Sequence, residues 1–147
     1  MENASKALLM AGGVLIGLLI IALAVYLFTS FGTTSAEVNR KNQEQQLVQF
    51  NTQYSSYLGR KDLTIYDVVT VANSAHENNL NYAEVSNHET LYDIIVKIEN
   101  NRIDNKSQSE MDELIRANQT NIKYECTNVE YYDTTGRVSQ VTFKRIT

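Results

Sequence analysis

The chain contains no proline and no tryptophan, and only one cysteine, Cys126. A single cysteine cannot close an intramolecular disulfide, so no disulfide framework organises this fold and the redox compartment cannot be read from it. Histidine is nearly as scarce: His76 and His88 lie in different elements, with no HxxxH or CxxC spacing to make a metal set with Cys126. Basic clusters are missing too. Thirteen Lys and Arg against seventeen Asp and Glu leave a formal charge of −4, which argues against nucleic acid as a partner, since phosphate binding needs a basic face. No GxSxG, Walker A or GxGxxG motif occurs, and no cofactor is expected.

The most informative absence is of charge between Lys6 and Glu37. Within that interval Ala7–Phe31 is apolar almost throughout. A hydrocarbon core about 30 Å thick requires roughly 20 apolar helical residues, and backbone groups in lipid must pair within the segment. The stretch therefore reads as a transmembrane helix, after a short tail at 1–6. A signal peptide has an apolar region of about 7–15 residues, so the length favours an uncleaved anchor, although cuts at Ser30-Phe31-Gly32 or Thr33-Thr34-Ser35 are conceivable. Basic residues nearly balance across the stretch, with Lys6 before it and Arg40 and Lys41 after it. The short tail, and the mixing of Glu37 and Glu44 with the later basic residues, favour a soluble domain outside the cell membrane.

Inside the stretch, Gly13 and Gly17 form a GxxxG, and Ala24 extends the same helix face past Ile20. Small side chains there allow two backbones to approach, so Gly13, Gly17 and Ala24 are the candidate association residues. The partner would be a second copy or another membrane protein, with membrane lipid around it. The alternative is that these glycines simply face lipid.

Gly32 is a natural helix stop, and Thr34 with Glu37 looks like a capping box that starts a second helix. Residues 32–46 then form a stalk, and Leu47, Phe50, Tyr54 and Tyr57 or Leu58 give a face that packs on a soluble domain at 47–147. Alternatively Gly32 is only a kink, and one helix runs from the membrane to Tyr57. After a turn at Gly59–Asp62, Thr64 and Asp67 start a helix with an apolar face of Ile65, Val68, Val69, Ala72 and Ala75, ending at Asn78-Asn79. Leu80–Val85 is expected to hold a short extended piece, and Ser86–Glu89 a turn.

Thr90–Ile98 alternates, with Tyr92, Ile94, Val96 and Ile98 on one face. A polar loop at Asn100–Lys106 precedes a second capping box, Ser107 with Glu110, whose helix ends near Asn118. Ile122–Tyr132 and Arg137–Ile146 flank Asp133-Thr134-Thr135-Gly136 as a β-hairpin. The expected class is α+β: short helices on an antiparallel sheet that ends in a hairpin.

Chemistry-bearing residues have bland readings. Cys126 shares a strand face with Ile122 and Tyr124 and reads as a buried core thiol. Glu110, Asp112 and Glu113 favour the helix dipole at a helix start. The tyrosines (Tyr54, Tyr57, Tyr66, Tyr82, Tyr92, Tyr124, Tyr131, Tyr132) would suit a binding surface, but most alternate with core positions and favour packing.

This layout, an apolar N-terminal helix running into a small α+β domain with a terminal hairpin, resembles type IV pilins and pilin-like proteins. That resemblance implies a filament or secretion-apparatus subunit assembling through its N-terminal helix. The chain departs from the pilin pattern in having apolar Ala7–Ala11 before Gly13, where pilin leaders are charged. Its fifth residue after Gly13 is Leu18 instead of Glu. The "ENASKAL" start and the segment with Phe50-Asn51, Tyr57 and Gly59 also resemble small single-pass proteins of low-GC Gram-positive bacteria. The expected function is that of a non-enzymatic, single-pass membrane protein presenting a small interaction domain.

Overall fold

The structure, a computed structural model, describes residues 1–83, 92–118 and 122–146. The chain divides into two units, Met1–Gln45 and Gln46–Thr147. Helix α1 (Glu2–Ser55) is continuous through the apolar stretch and beyond it. Gly32 does not end it, Thr34 caps nothing, and no second helix starts there. Gly32 keeps a negative φ, while Glu37 pairs with Lys41 (3.1 Å) and Arg40 with Glu44 (3.3 Å) one turn on. Continuing a helix adds one hydrogen bond per residue fixed, whereas restarting one repeats the nucleation cost. An interior glycine costs only about 1 kcal/mol.

In the second unit, α1 ends through a turn closed by Gly59, whose φ of +76° suits glycine. Helix α2 (Ile65–Ala83) opens on the expected reciprocal cap: the Thr64 N–H donates to Asp67 Oδ2 (2.8 Å), and the Asp67 N–H to Thr64 Oγ1 (3.4 Å). It does not stop at Asn78-Asn79. Leu80–Ala83 is helical, not extended, and Glu84-Val85 lies outside the described residues, as do the turn at 86–89 and the strand start at Thr90-Leu91. The two asparagines are used elsewhere, on the backbone ahead of the first strand.

Strand β1 (Ile95–Ile98) is shorter than the alternation suggested, yet its phase holds: Ile94 and Val96 are fully buried. The polar loop that follows contains a two-residue strand, β2 (Asn101–Arg102), hairpinned onto β1. Helix α3 (Gln108–Ala117) has the Ser107–Glu110 capping box and ends on Asn118. Strands β3 (Lys123–Tyr131) and β4 (Val138–Ile146) form the terminal hairpin, with Gly136 at φ +66°.

The sheet order is β2-β1-β4-β3. It is mixed, not antiparallel throughout: β1 lies parallel to β4, with Val96 opposite Val141 and Ile98 opposite Phe143. Two reversals and a helix separate these strands in the chain, and side-chain alternation carries no information on pairing direction. Residues 58–63 cover the outer edge of β3, where the Gly59 N–H donates to Cys126 O (2.9 Å) and the Tyr124 N–H to Leu63 O (2.9 Å). The core gathers Tyr54, Leu63, Val68, Ala72, Tyr124 and Phe143 with the buried residues of β1 and β4.

Ile94→Ala in the full chain in detergent micelles should cost about 2–5 kcal/mol. Ile95→Ala, at a half-buried position, should cost less than half as much. Equal melting temperatures for the two variants would show that the strand phase is wrong.

Candidate functional site

The N-terminal unit carries the residues singled out for association. In α1, Gly13, Gly17, Ile20 and Ala24 recur at the spacing of one helix face. A Cβ built on Gly13 or Gly17 would meet nothing within 4 Å, and neither residue has a positive φ. Neither contact within the chain nor backbone geometry therefore calls for glycine at these positions. The apolar window of α1 is long enough to cross a membrane by length and composition, and none of it is buried within the chain. Two of its hydroxyls close on the helix itself: Thr29 donates to Tyr26 O (2.9 Å) and Thr33 to Ser30 O (3.0 Å). Groups surrounded by hydrocarbon need this kind of internal satisfaction.

In the domain, Cys126 is fully buried in β3, and burial pushes its thiol up to about 11. A thiol so protonated at neutral pH is a poor nucleophile. His76 is exposed on α2 with Nδ1 2.9 Å from Asp104 O, and His88 lies outside the described residues. Among the described residues no three His, Cys, Asp or Glu side chains gather where they could hold a metal ion.

The fold also makes one cluster that no local sequence pattern announces. Arg137, just ahead of β4, places its guanidinium carbon 3.8 Å from the Phe50 ring centre, 5.0 Å from Tyr82 and 5.5 Å from Tyr92. Tyr82 and Tyr92 stack at 4.8 Å. Nη2 donates to Asn78 Oδ1 (3.0 Å) and Nη1 contacts the Tyr82 hydroxyl (3.4 Å), while the buried Nε has no partner. No carboxylate among the described residues pairs with this cation. Cation–π attraction to three rings takes the place of a counter-ion. Beside it, Asn51 clamps the hairpin backbone, donating to Gly136 O (2.8 Å) and accepting from the Val138 N–H (3.0 Å). The cluster ties the end of α1, the end of α2 and the hairpin together. It is structural, and its members are scattered between positions 50 and 137, so no local motif announces it. Of the tyrosines, Tyr54 and Tyr124 are core residues, whereas Tyr66 and Tyr131 are exposed.

Burial raises the Tyr54 phenol to about 12, against the opposing pull of Arg137. Both Tyr54 and Cys126 thus hold their protons more tightly folded than unfolded. Their contribution to stability is complete below about pH 9 and is lost as pH rises through 9–11 for the thiol and 10–12 for the phenol. Urea unfolding of the Tyr54→Phe variant should show a flatter stability loss above pH 10 than the parent; an identical slope would contradict the assignment. Comparison of the chain with known protein families, curated proteins and solved structures gave no match.

Proposed function

We propose that this chain is a non-enzymatic, single-pass protein of the cell membrane that presents its small α+β domain on the extracytoplasmic side and acts by interaction. The observation that carries the reading is the apolar stretch of α1, unburied within the chain. Leu8, Leu9, Leu15, Ile16, Leu18, Leu19, Ile20, Ile21 and Leu23 are all more than half exposed. Burying one such side chain is worth about 1.5–3 kcal/mol, so leaving the stretch in water would forgo tens of kcal/mol. A whole domain is stable by only about 5–15 kcal/mol. Lipid is the solvent that removes this penalty, and a helix is the backbone form that lipid accepts. The protonated, buried Cys126 and the scattered histidine fit a role without catalysis. The mixed charges after the stretch, Glu37 and Glu44 among Arg40 and Lys41, support the outward orientation.

The association residues in this reading are Gly13, Gly17 and Ala24, facing a second copy or another membrane protein, with no role for nucleic acid. Close backbone packing has to supply the contact energy, because hydrocarbon gives helices no hydrophobic drive toward each other. A pilin-like filament subunit is the second reading. It is favoured by the unbroken passage of α1 from the apolar stretch into Phe50, Asn51 and Tyr54, which pack on the domain.

Three measurements test this. The chain should stay with membranes through sodium carbonate extraction. A Thr134→Cys label site in a Cys126→Ser background should react with an impermeant maleimide on intact cells; labelling only after lysis would overturn the outward orientation. Gly17→Leu should reduce cross-linked association several-fold while Leu19→Ala, on another face, leaves it unchanged. If Gly17→Leu has no effect, the domain and not the helix carries the interaction. N-terminal sequencing separates the two readings, since a start at Val14 indicates pilin-type processing and a start at Met1 an anchor.

A further inference from the structure

At the end of the sheet opposite the Arg137 cluster, the helix-covered face runs out into a cleft of about 510 Å³. Its lining mixes polar and apolar groups: Ile98 and Leu114 are half-buried, and Ile103 and Tyr124 lie almost fully buried behind them. Three cations stand around it: Arg102 from β2, Lys106 ahead of α3, and Arg145 near the end of β4. Arg145 is opposite Tyr124 in the hairpin register and has no carboxylate partner among the described residues. Arg102 gives Nε and Nη2 to the buried Asp104 (3.0 and 2.7 Å), and its Nη1 takes no part in that fork. Lys106 is held loosely, 3.8 Å from a Glu110 carboxylate whose other oxygen already accepts from the Ser107 N–H. Asn100, Asn101 and Asn118 also line it, with the Asn118 amide donating to Leu114 O (2.8 Å).

The one acid lining the cleft is Glu99. It is also the one described non-glycine residue at positive φ, +55°. It sits first in the two-residue loop between Ile98 and Asn101, a place where glycine is customary. Its backbone is pinned there by its N–H, which donates to Phe143 O (2.6 Å). A side chain in this conformation is costly and tends to occur where function keeps it. Cations with spare hydrogen-bond donors, apolar side chains and a volume inside the range of small-molecule sites occur together in this cleft.

We propose that this cleft binds a small soluble amphipathic anion, a carboxylate or phosphate monoester on an apolar body the size of one aromatic ring. The anionic group lies against Arg145 and Lys106, with Arg102 Nη1 within the same rim. The body lies on Leu114 and Tyr124. Glu99 is the negative lip that sets how strong an anion the site accepts. This ligand site is independent of the membrane reading, which concerns the other unit of the chain.

The test is amide NMR of the full chain in neutral maltoside micelles, titrated with phenyl phosphate. Saturable shifts should be confined to residues 98–103, 106, 118, 124 and 145. Inorganic phosphate should bind more weakly, for lack of the body, and benzyl alcohol more weakly, for lack of the charge. Arg145→Ala should weaken phenyl phosphate binding by about fivefold or more, with partial recovery in Arg145→Lys. Glu99→Gln, which keeps the side-chain shape and removes the charge, should tighten it by about twofold. Lys144→Ala, an exposed cation on the same strand but not lining the cleft, should change nothing. Absence of saturation by about 10 mM would overturn the proposal. So would unchanged affinity in Arg145→Ala, or equal affinity for phenyl phosphate and benzyl alcohol.

Discussion

A buried strand needs partners for both rows of its backbone groups, and β1 has a proper strand on only one side. β4 satisfies that side along Ile95–Ile98. On the other, β2 supplies only two residues, opposite Lys97 and Ile98. Side chains and a loop amide complete the row. Asn79 takes both groups of Ile94, accepting from its N–H (2.7 Å) and donating to its carbonyl (2.9 Å). Asp104 accepts from the Val96 N–H (2.9 Å), and the Ile103 N–H donates to Val96 O (2.8 Å). Asp104 is almost fully buried, and burying a carboxylate is expensive unless it is paired and hydrogen-bonded. The Arg102 fork makes it tolerable. The polar run at 100–106 is therefore no spare loop. It is the missing edge of the sheet, and His76 and Asn79 of α2 bond to it and to the backbone beside it.

This explains which parts of the fold could be read from the sequence. Features decided within three or four residues came through: the Thr64–Asp67 and Ser107–Glu110 caps, the positive φ at Gly136, and the inward phase of Ile94 and Val96. Features decided by chain-distant partners did not. Nothing local tells Asn79 to bond Ile94 instead of capping a helix, and nothing local sets β1 parallel to β4. The hairpin shows a further limit. Tyr124 and Cys126 point inward, but so does Val129, which strict alternation would turn outward. Thr127 is unopposed between the Cys126–Phe143 and Asn128–Thr142 pairs, and this bulge resets the phase. Ser139 does the same on β4, so Val138 and Val141 are both buried.

That Gly13, Gly17 and Ala24 share one face of α1 follows from helix periodicity alone, with no long-range pairing to discover. The helix boundary was harder. Gly32, Thr34 and Glu37 each match a stop or start signal, but those signals act only when the helix has something better to do. Here the Glu37–Lys41 and Arg40–Glu44 pairs stabilise continuation, each by a few tenths of a kcal/mol. The Thr33 hydroxyl bonds back into the turn before it. No tertiary contact arises in that segment to reward a break.

The two arginines that bracket β4 show how placement decides what a charge can do. Arg137 lies just ahead of the strand, where Phe50 of α1 and Tyr82 of α2 pack against its guanidinium and Asn78 takes its Nη2. It has become a structural cation, held by rings and an amide with no acid paired to it among the described residues. Arg145 stands at the other end, opposite Tyr124 in the hairpin register and in the same cleft as Leu114 and Asn118. No ring stacks on its guanidinium among the described residues. Arg145 is exposed, and among the described residues neither an acid nor a ring takes up its hydrogen-bonding capacity. The sequence shows the two residues as equivalent ends of one strand; only the uneven covering of the sheet by its helices makes one of them a pillar and the other a binding group.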